Sequence, residues 1–549
     1  MKNEEISKNE QTLQKREKKL IDWFKNKYNL ALFSLLAFAV FIRIYYFLMT
    51  QNQVLWWDEA EYMVIAKDWV YGIPKYIDPV RQVLFPLIIS IFFRISQTEF
   101  LTRFLLLILS IASVVGVYFL GKEMFDKKVG LFASFLTSVF YLNLFFSYRV
   151  LVDIHSLAFF TFSAWLFFKY FKENSPKYLY IAAVVIAIGS MFKLTTAYVL
   201  FAVLIYLLIT EKLNFLKRKE IWISAIIFWL VISPYIIWGF ITFHGFVLTK
   251  AAEVTAPHGV DYITSTTRVL GGYISLFPNY LVPLNNSNPL IGLIISIAII
   301  AILIISSYKL FIGFDILIYK KELDKGVSVY NNLKRDLYLL LIFLLPLILV
   351  SIMISHNEDR YILNSFPALF IMIGALVMNI FNYISSKKLK GLAILFLVVV
   401  IISFAYTQLN SADSLIKVKL NSYSQVRDAG IWFSENSEPL DSIATVSFSQ
   451  VEYYSKKETI MIPETEEEFE SKTIPEKHPK YFMLSGFEQG PEWSRSYPQR
   501  KNLTVANVFF LDSAKTQPIV ILYNMPENSK TSNIQVQKII NQTGINNTN

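Results

Sequence analysis

The stretch QVLWWDEAEYMVIAKDWV, residues 53–70, sets Asp58, Glu59 and Glu61 directly behind Trp56 and Trp57. A carboxylate so placed can take a proton from an attacking hydroxyl or hold a divalent cation through oxygen. On a helix the neighbours Asp58 and Glu59 point different ways, so one can face a substrate while the other caps or bonds to structure. A second acid, Asp153, stands in SYRVLVDIH at the head of an apolar run, where an aspartate is also a good helix N-cap. Four cations can answer these acids: Arg81, Arg149, Lys193 and Arg360. Arginine's planar fork suits phosphate, although ordinary snorkelling explains each cation singly. Lys193 lies between two short apolar runs with almost no loop around it. Arg360 belongs to HNEDRY, where His356, Glu358 and Tyr361 accompany it as candidate substrate contacts. The histidines show no HExxH spacing, and His356 is the one set beside both an acid and an arginine. Trp56 and Trp57 read as membrane-interface belt residues, and Arg43 as a snorkelling or packing residue.

These groups need a scaffold, and composition limits what it is. Of 549 residues, 54% are hydrophobic and 17% charged, with a mean hydropathy of +0.43, more apolar surface than a soluble core absorbs. Cysteine is absent, which removes disulfides and thiolate metal sites. The net charge of +10 does not indicate a nucleic-acid partner, because the lysines are scattered through short loops between apolar runs. A membrane span needs about 20 apolar residues. The chain offers about eleven runs near that length: Leu30 to Leu48, Arg103 to Leu120, Val129 to Ser147, Ile154 to Phe171, Tyr178 to Phe192, Thr196 to Ile209, Ile221 to Ile241, Pro289 to Phe311, Leu337 to Ser355, Tyr361 to Phe381 and Leu392 to Tyr406.

Val83 to Ile95 is too short to span. Reading it as an interfacial helix in the first outer loop puts the lysine-bearing loops on one side, as the positive-inside rule requires. The expected fold is therefore a polytopic α-helical membrane protein with a C-terminal soluble α/β domain. Its divisions are a cytoplasmic tail over 1–29 ahead of an uncleaved signal anchor, a transmembrane catalytic domain over 30–409, an extracytoplasmic domain over 410–530 and a loose tail over 531–549. All the candidate residues then share the outer face of a cell membrane, with the N-terminus cytoplasmic. In the last domain SIATVSF, KYFMLSG, NVFFLDS and PIVILYNM alternate like strands, and YSQVRDAGIWFSEN has helical spacing with Val426, Ile431 and Phe433 among its apolar positions. The acidic run PETEEEFES reads as a solvated surface turn. Sequons stand at Asn285, Asn502, Asn541 and Asn546.

The acidic pair in WWDEAEY, the helix VRQVLFPLIISIFF behind a basic residue, the TRFLLL to SLAFF region and the C-terminal α/β domain together resemble the GT-C superfamily of membrane glycosyltransferases. The nearest group is that of the protein O-mannosyltransferases and lipid A aminoarabinose transferases. The resemblance runs through most of the first 210 residues and through HNEDRYILNSFP, and leaves the loop over 242–288 unmatched. It implies that Asp58 activates the acceptor beside Glu59, and that Asp153 joins it around a metal or the acceptor. It also implies that Arg81, Lys193 and Arg360 hold the phosphate of a polyprenyl-phosphate sugar. Two departures stand out: VRQVLFP lacks the family's proline pair, and LTT replaces the glycine and proline after the lysine matched by Lys193.

The implied activity is hexosyl or pentosyl transfer from a dolichyl- or undecaprenyl-phosphate sugar to a hydroxyl of a protein, lipid or glycan acceptor. Asp58 would serve as base, as ligand of a divalent cation shared with Asp153, or as both in turn. The rival activity is a flippase or transporter of a lipid-linked glycan precursor. Such proteins place ionisable groups near the bilayer midplane and show repeated or broken halves, whereas here the charges gather at one face.

Overall fold

The computed structural model describes residues 23–72, 81–245, 262–283, 297, 308, 313 and 327–526. They fall into two compact units, one drawn from 1–51 and 76–417, the other from 52–75 and 418–549. The segment bearing Asp58 and Glu59 thus belongs to the same unit as the C-terminal part of the chain.

The first unit is helical. In chain order its helices are α1 (Lys27–Thr50), then, past α2 (Trp57–Tyr71) of the second unit, α3 (Leu84–Phe93), α4 (Phe100–Met124), α5 (Lys127–Val139), α6 (Tyr141–Phe146), α7 (Asp153–Glu173), α8 (Pro176–Phe192), α9 (Tyr198–Glu211), α10 (Lys219–Phe243), α11 (Tyr262–Leu281), α12 (Val327–Met353), α13 (Phe366–Ser386) and α14 (Lys390–Lys419). Local signals start and stop them. The Asn26 side chain accepts the Tyr28 N–H at 3.0 Å to open α1, and Asp126 accepts those of Lys128 and Val129 at 2.8 and 2.9 Å to open α5. Pro176 stands in the first turn of α8, where its missing N–H costs nothing.

Among the described residues seven helices are long and apolar enough to cross a membrane: α1, α4, α9 and α13 each with its leading turn, α10, α12 and α14. The chain is a multi-pass membrane protein. The described runs expected to be apolar helix are helical, one of them with a break, while nearly all of Pro289 to Phe311 lies outside the described residues. Helix α3 has ten residues, too few to span, as expected of an interfacial helix.

One expected span is broken. Val129 to Ser147 divides into α5 and α6 because Phe140 leaves the helical conformation with ψ 119°. The break frees carbonyls that α5 cannot satisfy itself. Thr137 O takes the Asn143 amide at 3.3 Å and Ser138 O takes Arg43 Nη1 at 3.1 Å. Arg43 also donates to Ser110 Oγ at 2.8 Å and Ala39 O at 3.2 Å, so it is a buried packing residue and does not snorkel.

The second unit is an α/β sandwich. Helices α15 (Ser424–Glu435), α16 (Phe448–Ser455) and α17 (Glu492–Arg500) accompany strands β1 (Ile443–Thr445), β2 (Thr459–Met461), β3 (Tyr481–Ser485), β4 (Thr504–Phe510) and β5 (Pro518–Asn524). The sheet order is β2-β1-β3-β5-β4, with β1 parallel to β2 and β3 and β5 antiparallel to both its neighbours. Alternation sends Ile443, Tyr481 and Met483 to one face with Val426, Phe433 and Val451, and Ala444 and Phe482 to the other with Phe469 and Tyr497. The four expected strands are present, and β2 joins them. Ile431, expected on the apolar side of its helix, is 40% exposed. The acidic run forms helical turns with Phe469 buried, Glu466 paired to Arg500 and Glu470 to Lys501.

Candidate functional site

Lys193 ends α8 in an extended conformation (φ −156°, ψ 126°), with its N–H on Gly189 O at 3.0 Å and a 3-10 turn, Leu194–Ala197, directly after it. This tight corner delivers the ammonium to Asp153, the first residue of α7. The two form a short ion pair whose side chains are 14% and 2% exposed. Asp153 does not cap α7 through its side chain; its carboxylate is turned to the lysine.

A second 3-10 turn, Asp359–Ser365, brings the HNEDRY element to the same place. Lys193 Nζ lies 4.9 Å from the Tyr361 ring centroid, and the Arg360 guanidinium 5.2 Å from it. Arg360 pairs with Glu358 through Nε, and His356 Nε2 lies 3.1 Å from Glu358 Oε1. Asp153, Lys193, Tyr361, Arg360, Glu358 and His356 therefore make one continuous chain of contacts within the helical unit. Both cations lie within about 5 Å of the Tyr361 ring centroid, Lys193 paired with the buried Asp153 and Arg360 with Glu358, whose side chain is 35% exposed. Arg149 is fully buried, and Arg81 is half-buried three residues ahead of α3.

Sequence reasoning did not single out the groups that support this chain. Tyr280 of α11 donates to Asp359 Oδ1 at 2.7 Å, and Tyr273 OH bonds to both the carbonyl and the N–H of Glu358, at 3.2 and 3.1 Å. Helix α11, from the unmatched loop, thus pins the HNEDRY backbone. Its amphipathic spacing was the available signal. Beneath the ion pair, Ser156, Thr195, Thr196 and Asn364 share a buried hydrogen-bond network.

Asp58 and Glu59 belong to the second unit. Glu59 is buried, and its Oε2 accepts the Trp56 N–H at 2.6 Å, the reciprocal half of a capping arrangement that fixes the start of α2. Asp58, one residue earlier, is half-buried and outside that bond. The segment is built onto the α/β fold: Tyr454 OH accepts the Leu55 N–H at 2.9 Å, Gln450 donates to Leu55 O at 3.0 Å, and Trp57 Nε1 donates to Val446 O at 3.4 Å. Trp57 packs edge-on against Phe448 and Trp56 tilts toward Tyr423. Both tryptophans pack within this unit and stay half-buried. Nearby, at the ends of β1 and β3, Glu488 accepts the hydroxyls of Ser447 and Ser485. Burial pushes its carboxyl above the usual range, against those two hydrogen bonds.

A divalent cation held by Asp153 does not fit this arrangement, because the Lys193 ammonium already supplies its counter-charge. Among the described residues no group of three or more His, Asp or Glu side chains is placed to hold a metal.

Residues 80–238 match the family described as Dolichyl-phosphate-mannose-protein mannosyltransferase. No curated protein matches the sequence. Among solved structures, ArnT from Cupriavidus metallidurans bound to undecaprenyl phosphate is similar with a TM-score of 0.60 and 10% identity, over 89% of this chain and 97% of that one. The oligosaccharyltransferase AglB from Archaeoglobus fulgidus, in complex with an inhibitory peptide and a dolichol-phosphate, gives 0.52 and 15%, over 84% and 70%. The Archaeoglobus fulgidus oligosaccharyltransferase in complex with Zn and sulfate gives 0.51 and 15%, over 82% and 67%. The fold expected from the resemblance, that of the GT-C membrane glycosyltransferases, is thereby shown.

Proposed function

We propose that the protein transfers a sugar from a polyprenyl-phosphate donor to an acceptor hydroxyl at the extracytoplasmic side of the membrane. The observation that carries the reading is the pair of cations, Lys193 and Arg360, both against the Tyr361 ring at the ends of apolar helices, in a fold shared with proteins solved with undecaprenyl phosphate and dolichol-phosphate. Those ligands consist of an anionic head on an apolar tail. A cationic cluster at helix ends in a membrane unit matches that chemistry.

In the reaction the acceptor oxygen attacks the anomeric carbon, and the bond from that carbon to the phosphate oxygen breaks with oxocarbenium character, by analogy with glycoside hydrolysis. Arg360 and Lys193, joined by Arg81, offset the charge left on the phosphate. Asp153 holds the Lys193 ammonium in place. Glu358, with His356 against it, does the same for Arg360. Tyr361 gives the two cations a common apolar face. Asp58 takes the proton of the acceptor hydroxyl, and Glu59 holds the helix start that presents Asp58. No step is assigned to a metal. The acceptor class stays at protein, lipid or glycan.

The test is to reconstitute the purified full chain with radiolabelled dolichyl- and undecaprenyl-phosphate sugars and a mixed acceptor extract, and to follow label leaving the lipid phase. Transfer from at least one donor supports the reading. Failure with every donor, together with movement of labelled lipid between leaflets, would replace it with the flippase reading.

A further inference from the structure

We propose that Ser156 is a positioning residue for the transfer reaction, its hydroxyl fixing the Asp153–Lys193 pair against the turn that carries Arg360 and Tyr361. The inference rests on the reading of that cluster as the donor-phosphate site. Ser156 lies one helical turn after Asp153, on the same face of α7. Its Oγ accepts from Asn364 Nδ2 at 2.9 Å and from Thr196 Oγ1 at 3.0 Å, and lies 3.1 Å from Thr195 Oγ1. A hydroxyl has one proton and two lone pairs, so three partners saturate it.

Those partners come from the chain segments that present the proposed phosphate ligands. Thr195 and Thr196 belong to the turn that begins immediately after Lys193, and Asn364 to the turn that carries Arg360 and Tyr361. Ser156, Thr196 and Asn364 are all but fully buried and so meet no substrate, while Thr195 is half-buried. The network's action has to go through the residues it holds. Gly189 tightens the same corner. A Cβ there would come within 2.6 Å of Phe159 Cβ and 2.7 Å of Thr196 Cγ2, so α8 meets both α7 and the turn after Lys193 at closest approach. Removing the Ser156 hydroxyl leaves three neighbours without their shared partner while Asp153, Lys193, Arg360 and Tyr361 keep their side chains. A displacement of about 1 Å among such groups can cost on the order of a hundredfold in rate.

The experiment compares the full-length wild type with Ser156→Ala, Asn364→Leu and the double variant. Initial rates against donor concentration are measured alongside thermal unfolding in the same detergent. Each single variant is expected to lower kcat by roughly tenfold to a hundredfold, with donor KM changed by less than about threefold and the unfolding midpoint nearly unmoved. The double variant should be no slower than the worse single one, because both cut the same node. An unchanged kcat in Ser156→Ala, or losses that multiply in the double variant, would overturn the proposal. A fall in the unfolding midpoint with kcat intact would also overturn it, by making the network a structural staple. Should the wild type transfer from no donor, the functional reading fails and the positioning role is overturned with it, whereas an active wild type beside an equally active Ser156→Ala overturns the positioning role alone.

Discussion

Replacing Lys193 by methionine keeps the aliphatic stem and removes the charge that faces Asp153. The Asp153 side chain is 2% exposed, so its carboxylate then stays in a dry site with no counter-ion. Breaking a buried pair from one side costs about 3–5 kcal/mol, and loss of the cation from the Tyr361 face adds about 1 kcal/mol. Asp153→Asn is milder, about 1–3 kcal/mol, because the stranded ammonium is 14% exposed and retains the aromatic face. The double variant Asp153→Asn with Lys193→Met leaves no buried charge, and is expected within about 2 kcal/mol of wild type. Thermal unfolding of the four proteins in one detergent should thus show strong coupling, the double variant being more stable than Lys193→Met alone. Transfer should behave oppositely, falling on the order of a hundredfold in all three variants because the phosphate loses its cation or the cation its holder. Additive stability losses would refute the buried-pair argument. Recovery of transfer in the double variant would refute the assignment of charge at this site to the chemistry.

Three other outcomes follow from particular contacts. Burial raises the Glu488 carboxyl above its ordinary value of 4.5, so between that value and the raised one the folded unit binds more protons than the unfolded chain. Stability is therefore full below the ordinary value and falls as pH rises through the window. Glu488→Gln should raise the unfolding midpoint at pH 7–8 and lose that advantage near pH 4, and an equal shift at both would contradict the linkage. Arg43→Leu should destabilise by on the order of 2 kcal/mol, since Ser138 O and Ser110 Oγ lose the Arg43 donor, with donor KM unchanged; a raised KM would place Arg43 in the donor site. Dialysis against EDTA should leave the transfer rate within about twofold, given the Lys193 ammonium on Asp153. A loss restored by added Zn or Mg would show metal dependence.

The helical unit was legible because twenty-residue apolar runs have one stable outcome in a bilayer. Strands β1, β3, β4 and β5 were legible from alternation, while β2 was not, its three residues being too few to show a period. The Phe140 break was hidden by an unbroken apolar stretch, its compensation coming from Arg43, about a hundred residues away in sequence. Asp153, Lys193 and Arg360 could be nominated as charges at span ends. Their pairing could not, because it depends on two 3-10 turns set by Ser156 and Asn364, ordinary polar residues without a motif. The packing of Trp56 and Trp57 was hidden for a related reason: their partners Tyr423, Val446 and Phe448 lie more than 350 residues downstream.

The central claim is sugar transfer from a polyprenyl phosphate with Asp58 as the base, and it is tested most directly by comparing wild type with Asp58→Asn on one active donor. The predicted result is a loss of transfer between about 10² and 10⁴, while binding of undecaprenyl phosphate stays at the wild-type level. Undiminished transfer by Asp58→Asn would contradict the account.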